Sequence, residues 1–322
     1  MNEWEYKFKP YGIFKQLYRS FGEVDKIYHV HGSFGDVYIQ IAVLSELASS
    51  NKFTFGVIID QKYDLLVNSL RMQGVTIAFG DGAWVNDQFA SIGLLGNSDP
   101  QIIRLLCTVY PMIPEMIFLG HLSYIKFLRC LAGSTEVGRL PKIEVYDENK
   151  LLETFAESNV VPGKTVILSM DNNTHQEFPE EFWLTIIGFI KELGLIPCIN
   201  ASGTLQTNTH RILSNSQLPT IKISPEQAVS LVEMAGFYIG GTNGFDGIQA
   251  FFNEKSKGLH LINFINNNTN FANDKFGNIH PLETFYIKKA CPEIFIGLQQ
   301  EIVVRDSSAY TEIFDCISTW GN

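Results

Sequence analysis

Short apolar runs alternate with helix-type patterns along most of the chain. In the first half, the runs at 26–30, 53–60 and 75–80 predict buried strands, and apolar residues at helical spacing follow the first two of them. A further apolar segment covers 102–111, and the pattern at 117–131 predicts a helix. This alternation is typical of a parallel sheet with helices on both faces.

The second half repeats the alternation. Strands are predicted at 164–170, 195–201, 220–223, 237–241 and 258–264, and the one at 258–264 is predicted to be the last. Helices are predicted at 180–193, from Ser224 onwards, through Ile248 to Phe251, and from Thr311 onwards. The halves are separated by the polar stretch 146–164, which contains the breaker Pro162-Gly163. We therefore predict an α/β protein of two Rossmann-like, doubly wound domains, 1–158 and 159–322, that face each other across a cleft. The last helix of the second domain is free to pack back on the first.

Composition narrows the class of protein. The 322 residues are 45% hydrophobic and 18% charged, which is typical of a globular chain, and the net charge is −10. Without a basic stripe, a nucleic-acid partner is excluded.

The five cysteines are scattered and form no Cys-x-x-Cys pair, which favours reduced thiols over a zinc site. The first residues lack the layout of a signal peptide, and no run has the roughly 18 apolar residues of a membrane span. These features predict a cytoplasmic protein.

The first candidate motif is His-Gly-Ser-Phe-Gly-Asp at 31–36, between the first predicted strand and the first predicted helix. Gly32 and Gly35 allow the backbone to turn sharply and to approach a ligand closely. Asp36 stands at the start of the helix, where its carboxylate can cap the helix or act as a base on a bound molecule.

Two further polar segments follow predicted strands of the second half. Asp171, Asn172, Asn173, Thr174 and His175 come after the strand at 164–170, and Gly241, Thr242, Asn243 and Gly244 form a turn after the strand at 237–241. In parallel sheets, ligands bind beyond the carboxyl ends of the strands. Each segment is therefore either part of a binding site or a plain polar loop.

These motifs together resemble the heptosyltransferases (glycosyltransferase family 9), which have the GT-B architecture of two facing Rossmann-like halves. The family opens with a Gly-Asp-Val turn that leads into a helix, here Gly35-Asp36-Val37. Its second domain has a Trp-Pro-x-x-x-Trp-like segment, to which Phe178-Pro179 and Trp183 correspond. The stretch 223–252 is similar to the strand, turn and helix of its donor site.

The sequence departs from the family at the donor site. The family usually has Asp-Ser/Thr-Gly followed by a His three residues on, whereas this chain has Thr242-Asn243-Gly244 with Gly247 at the His position. Gln176 stands where the family has a Lys. These departures leave the donor sugar and its nucleotide open, while Asp36 is retained.

The resemblance implies transfer of a sugar from a nucleotide sugar to a glycan or lipid-linked acceptor, in the synthesis of cell-surface polysaccharide or lipopolysaccharide. Asp36 would be the catalytic base and the reaction would invert the anomeric carbon. The acceptor contacts expected from it are Gly32, Ser33, Phe34 and Gly35. The donor contacts expected are Asn172, Asn173, Thr174, His175, Gln176, Gly241, Thr242, Asn243, Gly244 and Asp246, of which Asp246 has a helix cap as its alternative role.

No Asp-x-Asp pair occurs in the sequence, and such closely spaced carboxylates commonly hold the metal of a nucleotide diphosphate. We therefore expect no metal and no cofactor besides the nucleotide sugar as co-substrate. Work on a lipid-linked acceptor would bring the protein into peripheral contact with the inner face of the membrane. Two alternatives stay open: a non-catalytic glycan- or nucleotide-binding relative, and a sugar-nucleotide epimerase on a similar scaffold.

Overall fold

The computed structural model describes residues 21–22, 24–50, 53–80, 102–105, 123–143, 148–171, 177–202, 207–265, 271–273, 279–281, 287–292, 295 and 297–321. The chain forms two compact units, Met1–Met116 with Leu122–Val145 and Ile117–His121 with Tyr146–Asn322. None of the helices in the described ranges has the length and apolar character that crossing a bilayer requires.

The first unit is built on a four-stranded parallel sheet. Its strands are β1 (Lys26–His29), β2 (Phe55–Ile59), β3 (Thr76–Phe79) and β4 (Ile102–Arg104). Its helices are α1 (Phe34–Ser49), α2 (Asn68–Met72), which follows a 3-10 segment at Gln61–Val67, and α3 (Tyr124–Ala132). The spatial order β3-β2-β1-β4 means that the strand order reverses between β1 and β4.

Helix α1 is buried along most of its length, as its apolar sequence predicts. A buried ion pair holds α3 against it. The Nη2 atom of Arg129 lies 2.6 Å from Oε2 of Glu46, and Nε lies 3.1 Å from Oε1. Ser134 donates a further hydrogen bond to Oε1 of Glu46, at 2.7 Å. Because buried charges need such partners, this pair fixes the position of α3 on the first unit.

The second unit is built on a six-stranded parallel sheet in the order β12-β9-β8-β5-β6-β7. Its strands are β5 (Thr165–Ser169), β6 (Ile196–Asn200), β7 (Thr220–Ile221), β8 (Gly236–Gly241), β9 (Lys257–Asn263) and β12 (Gln299–Val304). Between β9 and β12 in the sequence, β10 (Phe271–Asn273) and β11 (Ile279–Pro281) form a separate antiparallel pair. Its helices are α4 (Glu148–Glu157), α5 (Glu180–Glu192), α6 (Thr207–Asn215), α7 (Ala228–Ala235), α8 (Gly244–Phe252), α9 (Ile287–Ala290) and α10 (Ala309–Ser318).

Aromatic residues dominate the core of the second unit. Phe178 and Trp183 are buried, with exposed fractions of 0% and 1%, and their rings meet edge to face at 5.6 Å. In the same core cluster, Trp320 stacks on Phe237 with 5.2 Å between the ring centres. The segment that resembles the Trp-Pro-x-x-x-Trp of the heptosyltransferases therefore serves as core packing here.

The predicted fold class, α/β with two Rossmann-like units, is confirmed. All predicted strands of the second half are present, but β9 does not close the sheet, because β12 lies outside it. The polar stretch between the halves contains α4, which belongs to the second unit. The division at residues 158 and 159 stays a prediction. The predicted segment at 106–111 lies outside the described residues.

Candidate active site

The turn after β1 is held by its own helix. Gly32 has a φ of 135°, which favours glycine, and a Cβ atom there would lie 2.8 Å from Cβ of Asp36. Ser33 precedes the helix and donates two hydrogen bonds to Oδ2 of Asp36, from its backbone N at 3.0 Å and from Oγ at 2.7 Å. The capping role predicted as an alternative for Asp36 is therefore present in the structure.

One oxygen of Asp36 serves the cap, and the other faces a second helix. The hydroxyl of Tyr124, at the start of α3, lies 3.5 Å from Oδ1, which is at the outer limit of a hydrogen bond. Asp36 is only partly buried. The carboxylate is thus oriented through Oδ2, while Oδ1 makes the longer and weaker contact, to the Tyr124 hydroxyl.

The side chain of Gln40 holds the end of β1 in place through two hydrogen bonds. The sequence patterns did not single out this residue. It is fully buried in α1, accepts a hydrogen bond from the backbone N of His31 at 3.1 Å and donates one to the carbonyl of His31 at 2.9 Å. An amide side chain inside an otherwise apolar helix was the available signal. Because the strand order reverses beside β1, this rigid turn lies at the switch point where open α/β sheets bind ligands.

The turn after β8 lies at the corresponding place in the second sheet, where the order reverses between β5 and β8. Asn243 is the N-cap of α8, and its Oδ1 accepts a hydrogen bond from the N–H of Asp246 at 2.9 Å. Its Nδ2 donates to the carbonyl of Asp171 at 2.6 Å and to Oγ of Ser169 at 3.2 Å. One side chain therefore joins the carboxyl ends of β5 and β8.

This contact brings together the starts of the two predicted donor segments. The carboxylate of Asp171 is in turn held by α6, since Oγ1 of Thr209 donates to Oδ1 at 2.8 Å. Thr242 is anchored less tightly, by a bond of 3.4 Å from Oγ1 to the carbonyl of Leu261. The remaining predicted donor residues of the first segment lie outside the described residues: Asn172, Asn173, Thr174, His175 and Gln176.

Asp246 does not point out of the turn. Its exposed fraction is 2%, and Oδ1 lies 2.6 Å from Nδ1 of His260 in β9. Burial raises the pKa of Asp246, and the facing imidazole offsets this only in part. Any effect of Asp246 on a ligand at the turn would thus be indirect. With Asp246 and Gln299 as hydrogen-bond partners, His260 is a satisfied residue of the core.

Glu301 has a strongly shifted pKa close to this pair. It pairs in register with His260 on the neighbouring strand, and its carboxylate accepts hydrogen bonds from the N–H groups of Ile287, at 2.6 Å, and Lys288, at 3.1 Å, at the start of α9. Burial raises its pKa from the ordinary 4.5 to about 7, against the opposing charge of His260 and these hydrogen bonds. Glu301 therefore takes up a proton near neutral pH.

We expect the free energy of unfolding to fall as the pH rises through the window from 4.5 to about 7. The folded state binds the Glu301 proton more tightly than the unfolded state does, so raising the pH favours unfolding, by at most about 3 kcal/mol over the window. Urea unfolding measured below, inside and above the window checks this. Glu301→Gln should flatten the dependence, while Glu181→Gln, an exposed position on α5, should leave it unchanged. An equal slope in Glu301→Gln and the wild type would contradict the assignment.

Within the described residues, no group of three or more His, Cys, Asp or Glu side chains is arranged to hold a metal ion. The groups at the two switch points are instead one partly buried carboxylate in the first unit and a helix N-terminus with an amide bridge in the second. A carboxylate can accept a proton, and a helix N-terminus favours an anionic group.

The class that the fold and these turns define is a protein of two Rossmann-like units, as in glycosyltransferases of the GT-B fold. The fold is similar to a glycosyl transferase family 9 structure from Veillonella parvula DSM 2008, with 11% identity, a TM-score of 0.55 and coverage of 93% of this chain and 90% of that one. It is also similar to ADP-heptose lps heptosyltransferase II of E. coli, with 10% identity, a TM-score of 0.57 and coverage of 92% and 98%.

A third similar structure is the E. coli heptosyltransferase WaaC with ADP, with 10% identity, a TM-score of 0.51 and coverage of 90% of this chain and 99% of that one. No protein-family model matches the sequence, and no curated protein sequence matches it. The resemblance to the heptosyltransferases is thus confirmed at the level of the fold.

Proposed function

We propose that this protein is a glycosyltransferase that moves a sugar from a nucleotide-sugar donor to a glycan or lipid-linked acceptor. The observation that carries the proposal is that both turns singled out in the sequence end strands at the switch points of their sheets. The likeness to three solved glycosyltransferase structures over at least 90% of this chain supports it.

In the proposed reaction, Asp36 is the general base. The acceptor hydroxyl oxygen attacks the anomeric carbon of the donor sugar, its proton passes to Asp36, and the bond from the anomeric carbon to the phosphate oxygen breaks as the new one forms. The nucleoside diphosphate leaves with the bonding electrons, and the anomeric configuration inverts. Orientation of the carboxylate by Ser33 supports this role, since it leaves Oδ1 for the acceptor. Gly32, Phe34 and Gly35 would line the acceptor side.

The diphosphate would bind at the turn before α8. A helix leaves its first N–H groups without intrahelical acceptors, and here Asn243 takes up that of Asp246. The N–H groups of Gly244 and Phe245 are then the donors that the turn presents to a phosphate. Hydrogen bonds and the helix dipole would stabilise the leaving group without a metal ion. Residues 172–176, which continue from the Asn243 bridge, would complete the donor site with Gly241 and Thr242.

The product would be a cell-surface polysaccharide or lipopolysaccharide. The protein would then work in the cytoplasm, in peripheral contact with the inner face of the membrane where a lipid-linked acceptor is presented. The departures at Thr242, Asn243, Gly247 and Gln176 leave the base and the sugar of the donor to be found by experiment.

A thermal-shift screen across ADP, GDP, UDP and CMP sugars tests the proposal. A true donor at 100 times its dissociation constant should stabilise the protein by about 2.7 kcal/mol. Asn243→Ala should lose that shift. Asn243→Ser, which keeps a capping oxygen but removes the Nδ2 bridge to β5, should bind the donor more weakly than the wild type while the helix stays capped.

Turnover separates the proposal from its rivals. The donor that gives the shift should release its nucleoside diphosphate only when an acceptor glycan or glycolipid is present. Conversion of the free nucleotide sugar without any acceptor would identify an epimerase. A shift with no turnover in any acceptor panel would identify a binding protein.

A further inference from the structure

A chain of buried polar side chains runs beneath the turn that would hold the donor. Asp246 in α8, His260 in β9 and Gln299 in β12 have exposed fractions of 2%, 1% and 4%. His260 Nδ1 lies 2.6 Å from Oδ1 of Asp246, and Nε2 lies 2.9 Å from Oε1 of Gln299. Burying such groups is costly unless each is satisfied, so a complete chain of this kind specifies one arrangement of the three elements.

Glycines make the room for this chain. A Cβ atom at Gly258 would lie 1.7 Å from Oε1 of Gln299. A Cβ atom at Gly240 would lie 2.6 Å from Oδ1 of Asp246 and 2.0 Å from the hydroxyl oxygen of Tyr238. The sequence therefore supplies two glycines in adjacent strands at the two points where the polar groups approach the backbone.

The hydrogen bonds indicate which protons the pair holds. The Nε2 atom of Gln299 donates to the carbonyls of Ser256, at 3.0 Å, and Asn253, at 3.3 Å, so its Oε1 is the atom that faces His260. Nε2 of His260 must therefore carry a hydrogen to donate to that oxygen. Nδ1 then meets a carboxylate oxygen, and a short contact there requires a second proton, on either atom. The pair thus holds one proton more than a neutral imidazole beside a carboxylate, and its net charge is zero.

Charged and titratable groups face His260 from several elements of the second unit. Burial alone would lower the pKa of His260, but the Asp246 carboxylate and the hydrogen bonds to Asp246 and Gln299 outweigh it and raise the pKa. Glu301 on β12 adds a further negative charge only when it is ionised, above its pKa of about 7. Tyr238 on β8 presents its ring at 5.7 Å, with a phenol whose pKa burial raises well above the ordinary value. Beyond the ring of Phe295, which lies 6.1 Å from that of His260, Nζ of Lys288 lies 5.8 Å from the centre of the Phe295 ring.

Because Asp246 lies in the first turn of α8, the net charge of the Asp246–His260 pair affects how a donor binds there. Asp246 is the third residue of α8, whose N-terminus would hold the diphosphate. An unneutralised carboxylate in that turn would interact with the helix dipole itself and would repel a phosphate. With His260 protonated, Asp246 still holds the first turn of α8 against β9, and the Asp246–His260 pair adds no net negative charge.

We propose that His260 is a positioning residue of the donor site: as the buried partner of Asp246, it anchors the first turn of α8 and neutralises it so that a nucleoside diphosphate can bind there. This inference rests on the proposed function. Loss of the proton from the pair leaves one net negative charge under the turn, so diphosphate affinity falls as the pH rises.

The test compares His260→Gln with the charge-neutral double variant Asp246→Asn/His260→Gln, and uses His210→Gln, an exposed histidine of the same unit, as the matched control. Binding of ADP, GDP, UDP and inorganic pyrophosphate is measured by calorimetry across about pH 6 to 8.5, where histidines titrate. We expect His260→Gln to weaken binding by about tenfold at the alkaline end of this range, where loss of the Asp246 proton leaves an unneutralised carboxylate at the helix N-terminus. The donor KM should rise with it, with a smaller change in kcat.

The double variant should recover most of the affinity and lose the decline with pH that the wild type shows. This recovery distinguishes neutralisation from packing, because a purely structural role predicts that the double variant binds as weakly as His260→Gln. That result would overturn the inference, as would unchanged affinity in His260→Gln. If His260→Gln fails to fold, the double variant and the pH profile of Glu301→Gln, which removes the titration of Glu301 at about 7, still decide. A wild type that binds none of the four probes would instead remove the proposed function itself.

Discussion

Asp36→Asn should reduce the turnover number by about 10²- to 10⁴-fold, the contribution of a well-placed general base. The asparagine oxygen can still accept the hydrogen bond from the backbone N of Ser33, so the helix keeps its cap. We therefore expect the stability of the first unit to change by no more than about 1 kcal/mol. Turnover with the donor found in the thermal-shift screen, measured together with thermal unfolding, checks both parts.

Two controls separate catalysis from capping. Ser33→Ala removes the Oγ donor but keeps the carboxylate and the hydrogen bond from the Ser33 backbone N, so it should lower stability and should reduce turnover far less than Asp36→Asn does. Glu136→Gln, at an exposed acid of the same unit, should change neither. If Asp36→Asn keeps most of the wild-type turnover, the base lies elsewhere and Asp36 serves only the helix.

Trp183→Ala should destabilise the second unit by about 3–5 kcal/mol, the usual cost of deleting a fully buried indole. Trp183 is a residue of α5, and its side chain lies in the core cluster of the second unit. The centre of its ring is 5.6 Å from the ring centres of Phe178 and Phe182. Phe178 and Phe182 are themselves stacked at 4.4 Å, so the cavity cannot close by a simple shift of one neighbour. For a unit of this size we expect the melting temperature to fall by roughly 10 °C or more.

Leu184→Ala is the matched control, because Leu184 is the next residue of the same helix and is 43% exposed. It should cost less than about 1 kcal/mol. Trp183→Phe should fall between the two, since it keeps part of the buried ring. Equal stability of Trp183→Ala and Leu184→Ala would show that this segment does not pack the core and would reopen a ligand-binding role for it.

Sequence patterns located the elements whose burial is uniform. The apolar runs of β1, β2, β5 and β8 and the helix α1 are buried along nearly their whole length, so their composition alone separates them from loops. The two turns at the switch points were found because glycine and polar residues interrupt such runs abruptly. Local chemistry was sufficient there, because the strand and the turn that follows it are adjacent in the chain.

Patterns failed where few positions of an element are buried. Helix α4 buries Leu151 and Phe155 in a largely polar sequence, whose pattern predicts a polar stretch between the two halves. Helix α6 buries Thr209 and Ile212 and gave no signal. In β12 the polar Gln299 occupies a buried position, because its amide fits a space that Gly258 leaves on the neighbouring strand. Such a residue looks like a surface residue until its partner strand is known.

Local order along the chain was enough to establish the two Rossmann-like units, the turns that end their strands and the acid at the start of α1. Long-range packing added the remainder: Asn243 bridging β8 to β5, 72 residues apart, and His260 held between Asp246 and Gln299, 14 and 39 residues away. Backbone periodicity is set by neighbours in sequence, so it can be predicted from a single chain. A buried hydrogen bond between distant elements depends on how strands pair and where a glycine leaves room, and that arrangement exists only once the sheet has formed.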